Sequence, residues 1–165
     1  HNENVDFVIR ARTNLDYPLD YVPVLLAKMN LLLVAHPKWK DQLHGSLDGI
    51  LGQVPVIAWK GNGEYAYWQL IHKITGQSMQ YKTQPKLIVD DMDMMREAIL
   101  KGLGIAVIPE VYVYEDLALG RLIQLDVEAE PAQSLIHAVH LGQRGMRPAV
   151  RHLLDWLKQA TENLR

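Results

Sequence analysis

The stretch from Ile88 to Pro109, IVDDMDMMREAILKGLGIAVIP, limits the possible folds more than any other part of this chain. Lys86 to Val89 has the β-branched character of a short strand, and Asp90, Asp91 and Asp93 cluster where a helix should begin. Acidic side chains there accept the free N–H groups of a first turn and sit at the positive end of the helix dipole. Met92, Met95, Ile99 and Leu103 then follow the spacing of one buried helical stripe. Lys101 falls in the last turn, Gly102 suits a left-handed stop, and Gly104 allows a close backbone approach. Ile105 to Ile108 is wholly apolar and closed by Pro109, as expected of a strand covered on both faces. The stretch is a β-α-β unit, so the chain is of α/β class with parallel strands and a right-handed crossover.

The remaining segments supply partners for that unit. Val5 to Ile9 reads as a strand, followed by a polar loop carrying Arg10 and Arg12 at its C-terminal end. Ligands bind at that end of open α/β sheets, so the two arginines are weighed as ligand contacts against solvated loop residues. Tyr21 to Ala35 is mostly extended, with Pro23 suited to a sheet edge. A helical turn is expected over Lys38 to Leu43, and another over Ser46 to Leu51 capped by Ser46. Val54 to Trp59 is a buried strand running into the glycine loop Lys60–Gly63. Tyr65 to Tyr81 is expected to form two short strands closed at Gly76, although Tyr67 to Ile71 could also start a helix. Val111 to Leu119 is expected as a helix ending at Gly120, Arg121 to Val127 as a strand, and Glu128 to Gln133 as a loop containing Pro131. Leu135 to Leu141 is a strand, and Gly142 to Gly145 a turn. The last helix starts at Pro148 and shows Val150, Leu153, Leu154, Leu157 and Leu164 as its apolar stripe.

Composition excludes several function classes. A net charge of −2 with no basic cluster argues against this chain gripping nucleic acid itself. The absence of cysteine excludes disulfides and Cys-ligated metals, and no apolar run has the length of a membrane span. Gly102-Leu103-Gly104 follows a helix and precedes a strand, the reverse of a dinucleotide loop, so it is a structural turn. His137 and His140 share a strand but point to opposite faces, so they cannot jointly ligate a metal. Helix capping accounts for Asp90, Asp91 and Asp93 without a catalytic role. Among four tryptophans, Trp59 stands out for ending a strand beside a glycine loop, where ligands sit. No catalytic constellation is visible, so the chain is not expected to be an enzyme.

The order of these segments resembles the effector-binding domain of LysR-type transcriptional regulators. The resemblance is carried by Gly102 to Pro109, by the Gly120-Arg121-Leu122 entry to the next strand, and by the closing helix Pro148 to Lys158. The extension around Trp68 and the Lys86 to Asp91 strand look most like the branch that includes AphB and CrgA. What it implies is a two-lobed fold like a type II periplasmic binding protein, with lobe I at 1–31 and 138–165 and lobe II at 32–137. Lobe I would be incomplete here and the helix-turn-helix DNA-binding domain absent, with exposed apolar surface and self-association as consequences. A small, anionic effector would lie between the lobes, touched by Arg10 and Arg12 from one and by Trp59, Lys60 and Asp91 from the other, with Pro109 bordering. The parent is expected to be a cytoplasmic homo-oligomer, dimer or tetramer, that meets DNA only through the missing domain, with no membrane contact, metal or cofactor. A fragment of a periplasmic-type solute-binding protein is the alternative on the same fold.

Overall fold

The structure is a computed structural model that describes residues 5–60, 65–142 and 146–164. In chain order its strands and helices are β1 (Val8–Arg12), β2 (Tyr21–Met29), β3 (Leu31–Ala35), α1 (Leu47–Leu51), β4 (Ile57–Trp59), β5 (Ala66–His72), β6 (Ser78–Thr83), β7 (Leu87–Val89), α2 (Met92–Leu100), β8 (Ile105–Pro109), α3 (Tyr114–Ala118), β9 (Ile123–Gln124), β10 (Ala129–Pro131), β11 (Ser134–Leu141) and α4 (Pro148–Ala160). They form two compact units, one of residues 1–29 with 133–165 and one of residues 30–132. The boundaries fall at 29/30 and 132/133 rather than 31/32 and 137/138, because β11 belongs along its whole length to the sheet of the first unit.

In the first unit β11 is the central strand, antiparallel to β1 and to β2. Pro23 sits on the edge strand β2, where its missing N–H leaves no gap in the sheet. α4 buries Leu154 against Leu26 and Ala138, with Phe7, Val24, Met146, Val150 and Leu157 packed around them. Its stripe is narrower than the sequence spacing implies: Leu153 is exposed because Val150, Leu154 and Leu157 face the sheet, and the exposed Leu164 lies beyond the helix in a 3-10 turn. On the opposite face of β11, His137 is fully buried. Its Nδ1 lies 2.7 Å from the Leu135 carbonyl and must donate to it, which leaves Nε2 to accept from the Tyr17 hydroxyl at 2.6 Å. His140 lies on the other face and bonds a backbone carbonyl, so the two histidines are separate structural groups.

The second unit is built on the β-α-β stretch. β4 and β7 are parallel, β8-β3-β9 is antiparallel, and a parallel bridge between Val56 and Ile105 joins them in the order β7-β4-β8-β3-β9. Alternation along the strands divides the apolar residues between two cores. Leu33, Ala35, Val56 and Ile105 face one side, with Leu47 and Ile50 of α1 and Trp68 and Leu70 of β5. Val34, Ile57, Val89, Ala106 and Ile108 face the other, with Met95, Ala98 and Ile99 of α2. β8 is therefore covered on both sides, as its unbroken apolar sequence requires. Asp91 caps α2 by accepting from Met94 N at 2.9 Å, and Gly102 closes the helix at φ +70°. Leu103 does not extend the stripe; the left-handed turn at Gly102 carries it out to solvent, and Ala98 completes the buried face instead.

β5 and β6 form the expected hairpin, closed at Gly76 with φ +69°, and β10 pairs with β5 as a third strand. The segment 128–133 is thus partly strand rather than loop, and Pro131 is tolerated because β10 is an edge. The expected helix over 111–119 is interrupted: a 3-10 turn at Glu110–Tyr112 gives way to α3 through Val113, which is fully buried at φ −128°. The turns expected at 61–63 and 143–145 lie outside the described residues.

The Tyr81 hydroxyl is pushed above its ordinary value, first by burial and then by the nearby carboxylates of Asp48 and Glu128. Its folded form keeps the proton at a pH where the unfolded chain loses it. Stability from this group is full below the ordinary tyrosine range and falls as the pH rises through it. Denaturant titrations between about pH 9 and 11 should show a shallower loss of stability in Tyr81→Phe than in the parent sequence.

Candidate functional site

Because β4, β7 and β8 run parallel, their C-terminal ends lie at one end of the second unit's sheet. Ligand sites of open α/β sheets form at such ends. Trp59 is the last residue of β4 and is 45% exposed, whereas Trp68 is 6% exposed, so its indole is available as an apolar wall. Lys60 follows it, with its backbone N–H donating to the Val89 carbonyl at 2.6 Å. That bond ties the β4 exit to the β7 exit and fixes the start of both loops.

Beside these, Asp90 and Asp91 lead into α2. Lys60 Nζ is 3.9 Å from Asp90 Oδ2, with both side chains more than two-thirds exposed. A pair so solvated contributes less than about 1 kcal/mol, so a ligand carboxylate can replace Asp90 as the partner of Lys60. Asp91 uses Oδ1 in the α2 cap, which is worth roughly 1 kcal/mol to the helix. Pro109 ends β8 at the same end but is buried, so it shapes the floor and offers little surface. Two residues not singled out from sequence also lie there. Asn30 Nδ2 donates to Glu110 Oε2 at 3.0 Å, and Glu110 N donates to the Asn30 carbonyl at 3.0 Å. Nothing local marks them, since they stand 80 positions apart in sequence and only the β3–β8 register (Leu31 opposite Pro109) brings them together.

Arg10 and Arg12 lie in the first unit, and their setting differs from the expected loop. β1 runs from Val8 to Arg12, so both arginines are strand residues, paired in register with His137 and Leu135. Antiparallel pairing with β11 extends the strand through them, and the rule for C-terminal ends of parallel sheets does not reach them. Both are exposed. The Arg12 guanidinium stands 5.0 Å from the Tyr17 ring centroid, and neither arginine forms an ion pair among the described residues. The structure thus gathers Trp59, Lys60, Asp91 and Pro109 at one end of one sheet, and sets Arg10 and Arg12 side by side on a strand of the other unit.

Among the described residues no group of His, Asp or Glu is placed to hold a metal ion, and no helix is long and apolar enough to cross a membrane.

Comparison with known proteins gives this arrangement a family context. The model of the LysR substrate binding domain matches residues 1–162. Uncharacterised HTH-type transcriptional regulators of Mycobacterium tuberculosis and Mycobacterium bovis are each 26% identical over 142 residues, covering 84% of this chain and 45% of theirs. The chain therefore spans about half the length of the curated relatives it matches. Among solved structures, the full-length virulence activator AphB of Vibrio cholerae superposes with a TM-score of 0.70 at 18% identity, covering 94% of this chain and 52% of that one. The regulatory domain of CrgA from Neisseria meningitidis gives 0.65 at 20% identity, covering 93% and 74%. The effector domain of AmpR from Pseudomonas aeruginosa gives 0.63 at 20% identity, covering 98% and 74%. At these identities the likeness is one of fold.

Proposed function

Since the chain belongs to the LysR substrate-binding domain family, we propose that it is the effector-sensing part of a DNA-binding transcriptional regulator. The observation that carries the ligand site is Trp59, a half-exposed indole at the end of a parallel strand with Lys60 beside it. The effector is a small carboxylate with an apolar body: the body lies against Trp59 and the carboxylate takes Lys60 from Asp90. Arg10 and Arg12, cationic and without ion pairs among the described residues, are read as anion contacts of the first unit in their own right. Arginine suits that role because its fork can bond both oxygens of a carboxylate.

The two units are read as the two lobes of the regulatory domain. DNA binding belongs to a separate helix-turn-helix domain of the parent protein, in line with the names of the curated relatives and with a net charge of −2 on this chain. The parent is read as a homo-oligomer working in the cytoplasm. The family match does not favour the solute-binding alternative.

Sensing requires that the effector favour one regulatory state over another, and a difference of about 1–3 kcal/mol changes promoter response severalfold. In the full-length regulator, Trp59→Ala should abolish the transcriptional response to the inducing condition and leave promoter DNA affinity unchanged. Gel-shift titration and a promoter reporter measure the two separately. Weakened DNA binding together with a normal response would remove Trp59 from the site.

A further inference from the structure

The second unit carries a further depression away from Trp59. It has a volume of about 380 Å³ and is lined by Leu51 to Val56 on one side and by Lys82, Thr83, Gln84 and Lys86 on the other. Val56 precedes β4 and Lys86 precedes β7, so the depression sits at the N-terminal ends of the two parallel strands whose C-terminal ends carry Trp59 and Asp90. Three residues of strand, roughly 10 Å, separate the two places.

The polar groups there are unevenly matched. The Pro55 carbonyl accepts from Ile105 N at 2.9 Å and the Val56 carbonyl accepts from Lys86 N at 2.9 Å. Ile50 O accepts from both Gln53 N and Val54 N. The Thr83 hydroxyl donates to the Ala66 carbonyl, and the Gln53 amide to Gly49 O. The three backbone acceptors of Ile50, Pro55 and Val56 are engaged, whereas no carboxylate lines the depression and neither Lys82 nor Lys86 forms an ion pair among the described residues. Lys82 is also held in place, its Nζ 3.7 Å from the centroid of the Tyr65 ring. Leu51 and Pro55, both half-buried, supply the apolar surface there, while Val54 and Val56 are turned into the core.

We propose that this depression is a second small-molecule site, taking an organic carboxylate whose apolar body meets Leu51 and Pro55 and whose charge meets Lys82 and Lys86. The volume is within the usual range for small-ligand pockets, about 300–1,000 Å³. The inference rests on residues that the effector reading does not use, so either can fail without the other.

The test titrates benzoate, benzyl alcohol and inorganic phosphate into the 165-residue chain and follows backbone amide shifts by NMR. Benzoate should shift Gln53, Thr83, Gln84 and Lys86 saturably. Benzyl alcohol, which lacks the charge, and phosphate, which lacks the apolar body, should each bind at least about tenfold more weakly. Lys82→Gln with Lys86→Gln should weaken benzoate by a similar factor in a chain whose spectrum stays dispersed. Added salt should weaken benzoate and leave benzyl alcohol unchanged. Shifts confined to Trp59 and Lys60, equal binding of the alcohol or of phosphate, salt-independent benzoate binding, or an unaffected double variant would each overturn the proposal.

Discussion

Gly104→Ala should destabilise the protein by about 3 kcal/mol or more, a fall in Tm of about 10 °C. The reason is steric. A Cβ at Gly104 would stand 2.3 Å from the Pro55 carbonyl oxygen and 2.9 Å from its carbon, and both are backbone atoms that cannot rotate aside. β8 would have to move away from the segment before β4. That movement strains the Ile105 N to Pro55 O bond, the Val56–Ile105 bridge and the core packing of both residues. Gly102 provides the contrast. Its added Cβ would meet only the flexible end of Lys38, at 2.5 Å, so Gly102→Ala should cost chiefly the left-handed backbone at φ +70°, about 1 kcal/mol. Thermal unfolding of the two variants distinguishes these causes, and a Gly104→Ala chain within about 2 °C of the parent would contradict the close approach.

The second large effect is expected at Asp116, whose carboxylate is 1% exposed between two arginines. Arg96 donates to it through Nε at 2.7 Å and Nη2 at 3.0 Å, and Arg121 through Nε at 2.8 Å. The pairing fastens α2 to α3 and to the entry of β9, around the buried Val113 and Leu122. Losing one member of a fully buried ion pair costs about 3–5 kcal/mol. Here the guanidiniums are 28% and 48% exposed and can regain water, so Asp116→Ala should cost about 2–3 kcal/mol. Arg96→Ala should cost more than Arg121→Ala, since Arg96 makes two of the three bonds and is less exposed. The hydrogen bond to Asp116 is also the main cause of the raised pKa of Arg96, which burial opposes. Urea titration gives the order directly, and an Asp116→Ala chain as stable as the parent would show that the pairing contributes no net stability.

What the sequence discloses of this fold depends on how local the cause is. The β-α-β stretch is legible because each boundary has its own residue: Asp91 for the cap, Gly102 for the left-handed turn, Gly104 for the close approach, Pro109 for the stop. The Ser46 cap of α1 is legible in the same way, accepting from Gly49 N. The misreadings arise where a distant partner decides. Arg10 and Arg12 look like loop residues until β11 pairs with them, and 129–131 becomes a strand only because β5 lies alongside. Val113 ends one helical turn and starts another because its side chain is drawn into the core. The site divides along the same line. Trp59 and Lys60 follow from a strand running into a glycine loop, whereas Asn30 and Glu110 meet only through sheet register. Asp90 is legible as an acid near a helix start, but its contact with Lys60 depends on β4 and β7 being neighbours.

Thermal-shift titration of a carboxylate panel against this chain and its Trp59→Ala variant probes for a small-carboxylate site at the C-terminal ends of β4 and β7. A ligand that binds only the folded state raises Tm with concentration, by about 2.7 kcal/mol of added stability at a hundred times its Kd. At least one carboxylate should give such a rise, lost in Trp59→Ala and in Lys60→Ala but kept in Lys82→Gln. A panel in which every stabilising carboxylate acts equally on Trp59→Ala and the parent sequence, or one that leaves the parent's Tm unmoved throughout, would contradict that site.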